Sequence, residues 1–126
     1  MNMVWRGVLI EESLEGRSLL DGVVEVGYAE SFLEEEENKG MMHFHQFEIP
    51  EEKKNWFIEE SKKLLKDGWY THISDGKTLV IIFRHKVFEF SIDDRQTLEA
   101  ARSYGRSVGI IDDQMPFEHL VKDPFY

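Results

Sequence analysis

Residues 69–92 read WYTHISDGKTLVIIFRHKVFEFSI, and this stretch decides the fold. Two runs of β-forming residues, Trp69–Ser74 and Thr78–Arg84, flank Asp75-Gly76, a dipeptide that favours a two-residue hairpin. A third run, Val87–Ile92, turns back at His85-Lys86. Side chains on a strand alternate between its two faces. With Ser74 and Lys77 flanking the turn, His72 falls opposite Leu79 and Tyr70 opposite Ile81. Tyr70, His72, Leu79, Ile81 and Phe83 then share one face. Either register at His85 adds Phe88 and Phe90 to it, because the two registers differ by an even step. This is the expected core face. The opposite face carries Trp69, Thr71, Ile73, Val80, Ile82, Glu89 and Ser91, and half cover is expected there.

Outward from this stretch, Pro50–Asp67 reads as a helix. Pro50 suits a first turn, where its missing N–H costs nothing. Glu51 and Glu52 stand at the positive end of the helix dipole, and Lys62, Lys63 and Lys66 at the negative end. Trp56, Phe57 and Leu64, with Ile58 and Leu65 beside them, form the apolar stripe, and Gly68 stands where a left-handed C-terminal cap is expected. Earlier in the chain, Val4–Glu11, Val23–Leu33 and Met41–Ile49 read as strands, the last two as a hairpin. On the second, Val24, Val26, Tyr28 and Phe32 share a face broken only by Glu30. Leu14–Gly22 contains turn signals at Gly16 and Asp21-Gly22. Later, Asp93 caps a helix to about Tyr104, with Gln96 three residues on, and Gly105 ends it. Val108–Ile111 suggests a short strand and Phe117–Val121 a helical turn. The expectation is a single α+β domain over residues 1–126: a mainly antiparallel sheet of about six strands with two main helices packed on it.

Composition supports a packed core. Hydrophobic residues make up 41% of the chain and aromatics 13%, more than a disordered chain carries. Zero cysteines exclude disulfides, thiolate catalysis and Cys-based metal sites. Val8, Leu9 and Ile10 are too short an apolar run for a signal peptide core, and no stretch approaches the roughly 20 apolar residues that span a bilayer. A cytoplasmic protein without membrane contact is the expectation. Glu and Lys are abundant while Asn and Gln number three each, a pattern common in proteins from hot environments.

The net charge of −10 is polarised. Residues 1–52 hold thirteen acids against Arg6, Arg17 and Lys39, whereas residues 53–126 hold twelve acids and twelve bases. Such a field repels phosphate backbones, so nucleic-acid binding is not expected. It attracts cations or a basic partner, and it also serves plain solubility.

Two sets of residues carry candidate chemistry. His72 is a polar group on an apolar face, with Tyr70 beside it. It is either a satisfied core histidine or, with Tyr70, a ligand-binding pocket residue. His43 and His45 are two apart on a strand and point to one side. A pair of imidazoles binds a divalent cation when one or two further ligands converge, and the Glu34–Glu37 run across the hairpin loop offers carboxylates. Phe47 and Ile49 share their parity, however, so that side is also a candidate core. Asp93-Asp94 and Asp112-Asp113 read as caps and turns, because adjacent residues do not face each other. Arg106, between Gly105 and Gly109, suggests an anion-binding turn or simply a helix exit. None of the P-loop, GxGxxG or HExxH motifs is present in the sequence.

These features favour a small non-catalytic interaction or oligomeric protein, with no cofactor and with an unidentified small-molecule ligand. A homodimer is expected on two grounds. The predicted strands contain no edge-blocking Pro, and the tail holds Phe117, Leu120, Val121, Phe125 and Tyr126, which must dock on their own sheet or on a neighbour. The rival reading is a small enzyme or metal-dependent binder built on His43, His45 and His72. Convergence of the three histidines in one cleft would favour it.

Overall fold

The computed structural model describes residues 4–32 and 40–125. The acidic run Glu34–Glu37 and Tyr126 lie outside the described residues. Six strands, β1 (Val4–Ile10), β2 (Val24–Phe32), β3 (Met41–Pro50), β4 (Tyr70–Ser74), β5 (Thr78–Phe83) and β6 (Lys86–Ser91), form one sheet in the order β2-β3-β1-β4-β5-β6. Every neighbouring pair is antiparallel. The helices are α1 (Ser18–Gly22), α2 (Lys54–Leu64), α3 (Arg95–Ser107) and α4 (Phe117–Lys122). Among the described residues no helix is long and apolar enough to cross a membrane.

The antiparallel α+β architecture matches the expectation; among the described residues two short helices, α1 and α4, accompany the longer α2 and α3. Leu14–Gly22, read as a turn, contains α1, whose Leu19 is fully buried. The predicted turn of helix at Phe117–Val121 is α4, which sends Phe117, Leu120 and Val121 into the core. The apolar tail therefore docks on its own sheet.

Alternation along β4 and β5 sorts the side chains into two cores rather than one. Ile73, Val80 and Ile82 join Trp5, Leu9, Phe47, Ile49, Phe57, Ile58 and Leu65 under α2. Leu79, Ile81, Phe83 and Phe90 join Leu98, Ala101, Phe117, Leu120 and Val121 under α3 and α4. The face expected to be half covered is thus closed by α2. Burying both faces of β5 explains its unbroken run Leu79–Phe83, which shows no polar interruption.

The β4–β5 register differs from the reading by two residues: Ser74 pairs with Leu79, His72 with Ile81 and Tyr70 with Phe83. Asp75, not Ser74, closes the turn. Its Oδ1 accepts from the amides of Lys77 and Thr78 at 2.9 and 2.8 Å, and its own amide donates to the Thr78 carbonyl. The two loop residues become Gly76 and Lys77, and Gly76 takes φ +98°, which a side chain would resist. An even slip keeps every side chain on its face, so the face assignments survive it.

Other boundaries move for local reasons. Helix α2 stops at Leu64 rather than Asp67, so Gly68 is not its cap. Leu65 turns extended, bridges Leu14 and is fully buried, while the Leu64 carbonyl accepts from the Glu15 amide at 2.8 Å. Phe57 and Ile58 form its buried face, and Trp56 lies at the rim against Gly22. Asp94, not Asp93, caps α3 through the Thr97 amide at 3.1 Å. Gly105 is inside α3 instead of ending it, and its missing side chain leaves room for Met115. Val108–Ile111 is no strand; Ile110 is tied back to the Gly105 carbonyl. On β2, a bulge between Glu25 and Gly27 reverses the parity. Val24 therefore pairs with Glu48 while Tyr28 pairs with His45, and the single apolar face expected for this strand does not form.

Candidate functional site

Two places in the fold gather the residues that the sequence singles out, and they lie on opposite faces of the sheet. On the α3–α4 side is a half-open cavity of about 460 Å³. The even-numbered β1 and β3 residues Val8, Ile10, Phe44 and Gln46 form its floor. Ala29 and Ser31 of β2, both exposed, form one wall. Trp69, Tyr70 and the segment from Gly109 to Pro116 form the other, and Phe125 closes one end.

Few polar groups interrupt this apolar lining, and the fold anchors some of them. The Tyr70 hydroxyl donates to the Gln114 carbonyl, which fixes the ring against Phe117 in an edge-on contact at 5.5 Å. Gln46 Nε2 donates to the Phe125 carbonyl at 3.4 Å. Arg106, the candidate anion ligand, is held bidentately by Asp112 at 2.7 and 3.1 Å. This pair tethers the cavity segment to α3 and accounts for the Arg106 side chain without an anion. Arg102 reinforces the tether through Glu118 at 2.5 Å and the Met115 carbonyl at 3.3 Å.

Tyr70 lines this cavity; His72, two residues on, does not. The His72 ring is 1% exposed, and its Nε2 donates to the Pro124 carbonyl at 2.7 Å. Burial disfavours the imidazolium and pushes its pKa down to about 4, against the opposing pull of the Pro124 carbonyl. At neutral pH it is a neutral donor that pins the C-terminal segment to β4.

The second place lies on the other face, beside the α2 core. His43 and His45 project there from β3, in line with Phe47 and Ile49. They are not covered by core but ringed by carboxylates. The 3-10 turn Glu11–Ser13 follows β1 directly and brings Glu11 and Glu12 alongside. Glu12 Oε1 accepts from the His43 amide at 2.8 Å, and its other oxygen meets the His43 ring at Nδ1. Glu11 Oε1 lies 3.1 Å from His45 Nε2, while Glu25 meets His45 Nδ1. Glu30 Oε1 is 3.8 Å from His43 Nε2 and accepts from the Tyr28 hydroxyl at 3.1 Å. The Tyr28 ring leans on His45, with centroids 5.0 Å apart.

The electrostatics follow from these contacts. The hydrogen bond to Glu12 raises the His43 pKa above its ordinary value. Partial burial pushes Glu12 up, but the bonds from His43 outweigh it and leave the carboxyl below its usual range. Glu11 is lowered chiefly by the bond from His45.

The three histidines therefore do not converge. His43 and His45 come together, and His72 is separated from them by the sheet. Among the described residues the carboxylates around the pair are Glu11, Glu12, Glu25 and Glu30; the Glu34–Glu37 run that the sequence offered lies outside the described residues. Finding Glu11 and Glu12 requires the β1–β3 register, Leu9 opposite His45 and Ile10 opposite Phe44, which joins segments over thirty residues apart. No family model matches the chain, and no curated protein and no solved structure matches it.

Proposed function

We propose that this chain is a non-catalytic binding module that takes up a small, largely apolar molecule in the cavity between the sheet and the Gly109–Pro116 segment. The observation that carries this reading is the cavity itself. Its volume of about 460 Å³ falls within the roughly 300–1,000 Å³ of small-molecule sites, which are apolar with a few fixed polar groups. Tyr70, Gln46, Asp113 and Gln114 are those groups here. A cytoplasmic setting without nucleic-acid partners belongs to the same proposal, motivated by the cysteine-free, acidic composition.

The test is a titration with a neutral, polarity-sensitive apolar dye, followed by its own emission and by that of Trp69 on the cavity wall. Saturable one-to-one binding is expected, with loss in Ala29→Trp, where an exposed wall residue is enlarged to fill the space. Absence of saturable binding, or undiminished binding in Ala29→Trp, refutes the reading.

A second reading, self-association as a twofold dimer, is favoured by β2. It is an edge strand of nine residues without Pro, and it exposes Val24 and Val26. Unpaired edges of this kind template pairing with another chain, and closed twofold dimers are the commonest assembly. Light scattering coupled to size exclusion is the check. A dimer that Val24→Lys dissociates supports it; a mass near 14.9 kDa throughout the micromolar range refutes it.

A further inference from the structure

We propose that Glu11, Glu12 and His43, with His45 orienting Glu11 from behind, bind one divalent first-row transition-metal ion, with Zn²⁺ as the favoured ion. One ligand atom from each of Glu11, Glu12 and His43 lies within 4.8 Å of the others. Small rotations bring such atoms to the edge of about 3.4 Å expected of a tetrahedron with bonds near 2.1 Å.

The donors come from two elements held in register by the β1–β3 ladder, so their spacing is a property of the fold. Each is also oriented. The His43 backbone amide fixes one Glu12 oxygen at 2.8 Å, leaving the other turned to the imidazole. His45 Nε2 and Arg17 hold Glu11 Oε1 at 3.1 and 3.3 Å. Hydrogen-bonded partners that aim the ligands are the usual companions of metal centres. Tyr28 packs against the back of His45.

The chemistry of the donors selects the ion. Imidazole nitrogen with carboxylate oxygen suits Zn²⁺ and its neighbours, whereas Ca²⁺ and Mg²⁺ prefer oxygen alone. The charge also favours a cation. Glu11, Glu12, Glu25 and Glu30 face the histidine pair, and Arg17 is the guanidinium that reaches them among the described residues. Binding at the His43 ring takes the place of its hydrogen bond to Glu12. The cluster lies on the sheet face opposite the cavity, and its test is independent of the ligand reading.

The experiment is calorimetric titration of ZnCl₂ into untagged, chelator-stripped full chain, with thermal unfolding as a second readout. One saturable site and a zinc-dependent rise in Tm are expected. His43→Ala and Glu12→Gln should each weaken binding at least tenfold, while His119→Ala, on α4, leaves it unchanged. CaCl₂ should bind at least a hundredfold more weakly than ZnCl₂. If His43→Ala does not fold, Glu11→Gln and Glu12→Gln carry the test, because both carboxylates are part-exposed. Absence of saturable zinc binding overturns the proposal. So does binding that survives Glu11→Gln and Glu12→Gln together, or calcium binding as tight as zinc.

Discussion

Replacing His72 with Gln probes the most perturbed titrating group in the interior. The wild-type ring is neutral when folded, with a pKa lowered from 6.5 to about 4 by burial. In the unfolded chain it returns to its ordinary value. Above pH 6.5 neither state protonates the ring, and its contribution to stability is fully present. Between pH 6.5 and 4 the unfolded chain takes up a proton that the folded one refuses, so stability falls. Below pH 4 both states are protonated and the loss is complete. With each pKa unit worth about 1.4 kcal/mol, the total is about 3 kcal/mol. That is a large share of the roughly 5–15 kcal/mol that holds such a domain together. Gln has an amide that can donate to the Pro124 carbonyl but does not titrate. Urea unfolding of both proteins from pH 7.5 to 4 gives the difference in stability at each pH. Subtraction removes the acid sensitivity of Glu11, Glu12, Glu118 and Asp112, which both proteins share. The wild type should lose about 3 kcal/mol relative to His72→Gln across this window. A difference that stays constant within about 0.5 kcal/mol would refute the argument, as would a His72 resonance titrating near pH 6.5 in the folded protein.

Phe57→Ala should cost roughly 3–5 kcal/mol in urea unfolding, because its fully buried ring packs on Phe47 at 5.0 Å. Trp56→Ala should cost clearly less, since Trp56 is part-exposed at the rim, and an equal cost would misplace the α2 face. Gly105→Ala should destabilise by about 1–3 kcal/mol despite the better helix propensity of Ala, because its methyl meets Met115; a gain in thermal stability would contradict that packing. Ser61→Ala should be neutral or stabilising by about 1 kcal/mol, since Ser61 Oγ is buried with no hydrogen-bond partner among the described residues. A loss above about 1 kcal/mol in denaturant titration would indicate a partner for that hydroxyl.

What was legible in the sequence was what short-range periodicity encodes. Alternation through Tyr70–Phe90 placed each side chain on its face, even though the Asp75 turn shifted the pairing register by two residues. The apolar stripe of Trp56, Phe57 and Leu64 between oppositely charged ends located α2, but its end was set by Leu65 pairing with Leu14, a contact from another part of the chain. The same limit hid the second core: nothing local tells that α2 covers one face of β5 and α4 the other. It governed the candidate sites too. His43 and His45 stood out through their spacing, while their carboxylate partners depended on a register between distant strands. The parity of Val24, Val26 and Tyr28 failed because a bulge leaves little mark in composition. The polar character of His72 was visible, but its partner was a carbonyl in the tail.

The central position of β1 bears on how the chain acquires its shape during synthesis. β1 leaves the ribosome before either of its neighbours, β3 and β4. Val4 must wait for Pro50, and Val8 must wait for His72. The β2–β3 hairpin and the β4–β5–β6 meander close short loops and form early, whereas β1 joins two finished halves across long ones. Until both neighbours have emerged, β1 presents Trp5, Val8 and Leu9 with at least one side unpaired, so this segment is a natural client for a chaperone that shields apolar strands.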